Sequence, residues 1–180
     1  MNYKTIIIFC ACALLTACAS SRGFVKDKSA LAGIKRVAVI PFKCNSGDFG
    51  TIVSDSVTAN MLESRFDFIE RSQLNKILEE QKLVLDKVID NPELLFGRIK
   101  GIDALVIGSV NVEKGFAGLA YGGNVQYVAN ASARIVNVND GSLLAMSTFT
   151  SSNASTWTGK YTASDVGEEL AKELLNCTRK

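Results

Sequence analysis

Histidine is missing altogether from the 180 residues. That absence removes the usual general base, the commonest metal-ligating side chain and the one side chain whose unperturbed charge switches near neutral pH. No Ser-His-Asp or Cys-His machinery can be assembled. There is likewise no Cys/His zinc cluster, no G-x-x-x-x-G-K-[ST] phosphate loop and no strand followed by G-x-G-x-x-G. Charge of one sign is also scarce: 20 Lys and Arg stand against 18 Asp and Glu, a formal net charge of +2. A nucleic-acid surface needs a clustered basic face, so no nucleic-acid partner is expected. Long apolar runs are absent too, the most apolar stretch covering only Ile6 to Leu15. A membrane-spanning helix needs about 20 such residues. These absences together predict a non-enzyme with no catalytic residue, no metal and no cofactor.

What the amino terminus does contain is a basic start with Lys4, that short apolar run, and then Leu15-Thr16-Ala17-Cys18. Charged, apolar and small-residue regions in this order make a secretion signal. The last four residues are similar to a bacterial lipobox. That resemblance implies cleavage between Ala17 and Cys18, a diacylglycerol on the Cys18 sulfur and acylation of the new amino terminus. The expected division is a signal peptide over 1–17, a lipidated tether over 18–35 and one domain over 36–180. Residues 18–180 are enough for one sizeable core. Of the five cysteines, Cys10 and Cys12 leave with the signal. Cys44 and Cys177 then remain as the pair that could form a disulfide in an exported protein, although spacing alone does not bring their Cα atoms within bonding range. Without a histidine to activate it, Cys44 reads as a buried thiol or half of that disulfide.

Along the domain, Val37 to Phe42 is a continuous apolar strand candidate, limited by Pro41, which has no ladder N–H to donate. Phe49, Val53, Val57 and Met61 recur every four residues and predict a helix. Phe66 to Ile69 is a short strand candidate. A helix capped by Ser72 and carrying Leu74, Ile77, Leu78, Gln81 and Leu85 on one face is expected after it. Asn91-Pro92 starts a further short helix with Leu94, Leu95 and Ile99, closed by Gly101, and Ile102 to Val112 reads as a long buried strand. A glycine-rich connection from Gly115 to Gly123 leads into a period-two stretch with Val125, Tyr127, Ala129, Ala131, Ala133 and Ile135 on one face. Asn139-Asp140-Gly141 predicts a tight hairpin turn, a return strand runs to about Thr150, and Val166, Leu170 and Leu174 mark a last helix. The fold class is α/β: a single three-layer-like domain, its mixed β-sheet flanked by helices, with a long β-hairpin in the carboxyl half.

Four stretches, in this order, resemble the CsgG-like family of curli assembly/transport lipoproteins. They are Arg36-Val37-Ala38-Val39-Ile40-Pro41-Phe42, then Phe68-Ile69-Glu70-Arg71 with Gln73-Leu74 and Ile77-Leu78-Glu79-Glu80-Gln81, then Asp103-Ala104-Leu105-Val106-Ile107-Gly108-Ser109-Val110, and Ala133-Arg134-Ile135-Val136-Asn137-Val138 with Asp140-Gly141. The resemblance implies a periplasmic α/β domain on an outer-membrane lipid anchor, a homo-oligomeric ring and a non-enzymatic part in exporting or assembling curli-like surface fibres. In the pore-forming members two long hairpins cross the membrane. Here the first could only be Val112 to Ala131, and nothing after Phe149 is long enough for a second. The expected protein is therefore a short member whose partners are the membrane, its own copies, and either secreted fibre subunits or a periplasmic protein. The alternative expectation is a monomeric lipoprotein that activates a cell-wall synthase, as activators of penicillin-binding proteins do.

Beyond Cys18, the flexible segment with Phe116, Leu119 and Tyr121 is the candidate oligomer or membrane contact. Trp157 and Tyr161 could anchor a partner or cover the edge of the core. Glu70-Arg71, charged residues where a strand gives way to a helix, could organise the loop or contact a neighbouring subunit, or form no more than a half-exposed ion pair of small energetic worth.

Overall fold

The computed structural model describes residues 20–97, 99–117, 123–151 and 161–179. Two elements precede the first expected strand, in the stretch expected to be tether: β1 (Ser20–Val25) and α1 (Lys28–Gly33). Asp27 caps α1, its Oδ1 accepting the Ala30 N–H at 2.9 Å. The cap bond is also the main reason the Asp27 carboxyl titrates below its ordinary value. At the other end of α1, the Arg65 guanidinium gathers the carbonyls of Leu31, Ala32 and Ile34, and Leu31 O also accepts the Ile34 N–H at 3.2 Å.

The apolar run from Val37 splits at its proline. β2 (Arg36–Val39) ends before Pro41, and β3 (Lys43–Cys44) resumes beside the same neighbouring strand. α2 (Phe49–Met61) follows, with Val53, Val57 and Met61 fully buried as their spacing predicts. After β4 (Asp67–Ile69) comes α3 (Arg71–Glu80). Glu70, not Ser72, is its N-cap; the Ser72 hydroxyl donates to the Glu70 carboxylate instead. The long helix expected through Leu85 stops here, because Lys82 takes a left-handed φ of 59°. The Leu83 N–H then reaches back to Leu78 O at 2.9 Å and Lys82 N–H to Glu79 O at 2.9 Å, the Schellman pair of bonds. Leu85 opens α4 (Leu85–Asp90), and Pro92–Leu95 is a single 3-10 turn ended at Gly97, φ 70°, rather than at Gly101.

The rest of the sheet is β5 (Ala104–Ala117), β6 (Gly123–Asn137) and β7 (Leu143–Thr150), and α5 (Ala163–Arg179) closes the chain. Between β6 and β7 only Gly141 has positive φ, 71°, so Asn139 and Asp140 are not in the left-handed geometry expected of a tight two-residue turn. The Asp140 carboxylate accepts the Ser142 N–H at 2.9 Å, and that bond holds its titration below the ordinary value.

Strand order is β1-β7-β6-β5-β2-β4, with β3 also on β5; β2, β3 and β4 join in parallel and the hairpin strands and β1 antiparallel. Asp103 fixes the parallel junction, its Oδ2 accepting the backbone N–H groups of Lys35 and Arg36 at 2.9 Å each. The layers form because each sheet face has its own apolar set. α1, α2 and α5 cover one face, burying Val53, Val57, Met61, Val166, Leu170 and Leu174 against Val106, Ala133, Ile135 and Phe149. On the other face, α3, α4 and the 3-10 turn cover the β4-β2 side, the first half of β5 and the adjoining ends of β6 and β7, around Leu74, Leu78, Leu105, Ile107 and Val136. Three layers are thus complete on one side of the sheet and stop halfway on the other.

Candidate functional site

Ser20, Thr150, Asn130 and Asn111 lie side by side across β1, β7, β6 and β5, and this row ends the sheet. Past it, among the described residues, only β5 and β6 continue, pairing from Val112–Val128 to Ala117–Gly123 as a two-stranded ribbon. Six residues per strand at about 3.3 Å each give a projection of roughly 20 Å. β1 begins at this row with Ser20, so the start of the described chain and the ribbon share one end of the sheet. A strand needs about 9 to 11 residues to cross a bilayer, and the described part of this ribbon offers six.

The base of the ribbon is fastened by Asn45, in the loop after β3. Its Oδ1 accepts the Val112 N–H at 2.7 Å while its Nδ2 donates to Val112 O at 2.9 Å and to Asn111 Oδ1 at 3.0 Å. The amide thus continues the ladder where β3 runs out. Gln126 Nε2 adds a bond to Ser46 Oγ at 3.2 Å. Opposite Asn45 the register slips: Asn111 faces Asn130 but Val112 faces Val128, leaving Ala129 as a bulge. Val128 and Ala129 are both buried as a result.

The bulge corrects one expectation. Ala131, Ala133 and Ile135 face the helices, but Tyr127 lands on the other face, across from Glu113, whose carboxylate accepts its hydroxyl at 3.3 Å. Burial first, and then the Glu113 charge, push the Tyr127 phenol above its ordinary value. Replacing Asn45 with alanine removes both bonds to Val112 and is expected to cost about 1–3 kcal/mol. Amide hydrogen exchange should show Val112 losing protection, with β2 and α5 little changed; unchanged exchange at Val112 would rule out the clamp.

Of the other expected site residues, Phe116 is in β5 at the ribbon's end, in register with Asn124. Ala17, Cys18, Leu119, Tyr121 and Trp157 lie outside the described residues. Tyr161 packs edge-on against Phe149, centroids 5.5 Å apart, and so covers the core's edge. Glu70 and Arg71 do not pair; Arg71 bonds to Asp55 on α2 and Glu70 to Ser72. Cys44 ends β3 beside β5, its Sγ donating to Ser46 O at 3.1 Å. Cys177 is on α5 over Gly23 of β1. Three strand spacings, about 14 Å, separate β1 from β5, whereas a disulfide needs Cα atoms within about 7 Å. The structure does not bring this pair together.

Sequence reasoning missed the uncovered half of the second sheet face. There β1 presents Arg22 and Phe24, β7 Met146 and Thr148, and β6 Ser132 and Arg134, in register across the strands. A shallow groove of about 300 Å³ runs over its outer end, between Ser109, Ser132 and Thr148. Among the described residues no helix is long and apolar enough to cross a membrane.

The family model described as curli production assembly/transport component CsgG matches residues 24–175. No curated protein sequence matches the chain. Among solved structures, lipoprotein GNA1162 from Neisseria meningitidis is 20% identical, with 65% of this chain and 80% of that one covered at a TM-score of 0.46. The PelC dodecamer from Paraburkholderia phytofirmans is 15% identical, with 87% and 95% covered at a TM-score of 0.45. A PDZ domain protein from Parabacteroides distasonis is 9% identical, covering 96% of this chain and 38% of that one at a TM-score of 0.42.

Proposed function

The chain belongs to the CsgG family of curli production assembly/transport components, and on that premise we propose that it is a non-enzymatic, lipid-anchored component of surface-fibre assembly or export. In this reading residues 1–17 are removed, Cys18 carries the lipid, and the domain hangs in the periplasm from the outer membrane as an oligomer. Ala19, not an aspartate, follows the lipidated position; in enteric bacteria an aspartate there retains lipoproteins at the inner membrane, so the outer membrane is the destination. The observation that carries the proposal is the shared end of the sheet. β1 begins two residues after Cys18 and at the end of the sheet from which the ribbon projects, so in this reading a lipid at Cys18 holds the ribbon toward the bilayer.

The ribbon then touches the membrane surface, or the next subunit, through Phe116, Leu119 and Tyr121. Its described part offers six residues per strand, fewer than a strand needs to cross a bilayer. The lipid is accordingly the sole firm anchor. Histidine's absence supports a role in binding and assembly rather than in catalysis.

Crosslinking in living cells, followed by purification through this protein, tests the role. Secreted fibre subunits or other export components should be the captured partners. A peptidoglycan synthase as the main partner would replace this reading with that of a monomeric cell-wall synthase activator.

A further inference from the structure

Among the described residues, two surfaces on opposite sides of the molecule are left without cover, and they complement each other. One is the bare half of the sheet. Phe24 on β1 is 55% exposed, with Met146 in register beside it on β7 and Arg134 beside Met146 on β6. Arg22 stands two residues along β1. Among the described residues neither arginine has an ion pair, and Ser20, Thr148, Thr150, Asn130 and Ser132 complete a face without an acid.

The second surface is the outer side of α2, whose inner side is buried against the opposite sheet face. Ile52, Asp55, Ala59 and Leu62 recur at helical spacing on this side, and Glu63 adjoins them. Ile52 and Leu62 are 47% and 61% exposed, and all of these positions lack cover. Asp55 is already bridged to Arg71, which leaves Glu63 as the acid without an ion pair among the described residues. Three of the four exposed large hydrophobics among the described residues lie on these two faces.

We propose that the two faces bind each other between copies: the Phe24–Met146 sheet face of one subunit seats the Ile52–Leu62 side of α2 of the next. Arg22 and Arg134 of the first subunit meet Glu63 of the second. The apolar pairs supply the contact and the charges its orientation. Because each face meets the other and not itself, the contact is head-to-tail. Repeated, it closes into a ring or runs on as a filament rather than stopping at a two-fold dimer. This inference rests on the oligomeric reading above and names the surfaces that build it.

The test uses full-length lipoprotein extracted in detergent, with two exposed-site variants, Phe24→Asp and Leu62→Lys. Thermal melting confirms that each is folded. Native mass spectrometry should find each variant alone dissociated to monomer. Mixed together, they should regain association in complexes containing both in equal number, since each keeps one intact face. If either variant does not fold, Arg22→Glu and Glu63→Arg replace the pair: each should dissociate alone, and combining them in one chain should restore assembly. An oligomeric wild type whose variants keep its full size would overturn the assigned surfaces and leave the oligomer standing. Variants that dissociate but never associate on mixing would overturn the head-to-tail arrangement. A monomeric wild type would remove both this inference and the oligomeric reading.

Discussion

Replacing Cys18 with serine is expected to move the protein from the membrane fraction to the soluble periplasmic fraction, nearly quantitatively. A hydroxyl is a far poorer nucleophile than a thiol, so no thioether to diacylglycerol forms at this position. Each buried methylene contributes about 0.8 kcal/mol, and a single acyl chain binds only marginally while two or more anchor stably. Losing all the chains therefore removes tens of kcal/mol of gross membrane attachment. Nothing among the described residues replaces it, since no helix is long and apolar enough and the ribbon offers six residues per strand. An uncleaved signal could itself retain the serine variant. A second form, with an ordinary cleavable signal placed before Ala19, removes that ambiguity and should be soluble in the same assay. Persistence of this second form in the membrane fraction would show that the chain holds the bilayer by itself.

A comparably decisive loss, this time of stability, is expected from Gly167→Ala in α5. In an open helix this change stabilises by about 1 kcal/mol. Here a Cβ would sit 2.5 Å from Ser56 Cβ and 2.7 Å from Val53 O, both on α2. Those are backbone and short rigid groups, and Ser56 is held further by its bond to Ser164 O at 2.7 Å. The two helices must separate, and overpacking of this kind costs about 1–3 kcal/mol. For a domain this size, a fall in melting temperature of roughly 3–10 °C is expected. Gly33→Ala is the control: a Cβ there meets nothing within 4 Å, and its melting temperature should hold or rise. A Gly167→Ala protein as stable as the wild type would mean that α2 and α5 do not meet this closely.

The elements that were legible in the sequence are those whose apolar period is long and unbroken. Val53, Val57 and Met61 announce α2, Val166, Leu170 and Leu174 announce α5, and the run through Val106 announces β5. β1 was not legible, because Ser20 to Val25 carries only Phe24 and Val25 as large apolar residues and owes its strand form to pairing with β7. Tertiary pairing decides such a strand, not propensity. The break at Lys82 carries no glycine to mark it. The bulge at Ala129 hides in a stretch where every second residue is apolar, so parity alone places Tyr127 on the wrong face. The functional reading divides the same way. The proposed cleavage and lipidation at Cys18 rest on local sequence alone, since such signals are short linear motifs. The two uncovered faces are invisible until the fold shows which apolar residues remain outside the core.

The proposed function requires a CsgG-family domain that carries a lipid and works as a multiple of itself. Native mass spectrometry of the detergent-extracted, full-length protein at micromolar concentration measures both parts at once. The expected result is a subunit that begins at an acylated Cys18, in complexes of several identical copies. A strictly monomeric protein, or a subunit without added acyl mass, would contradict it.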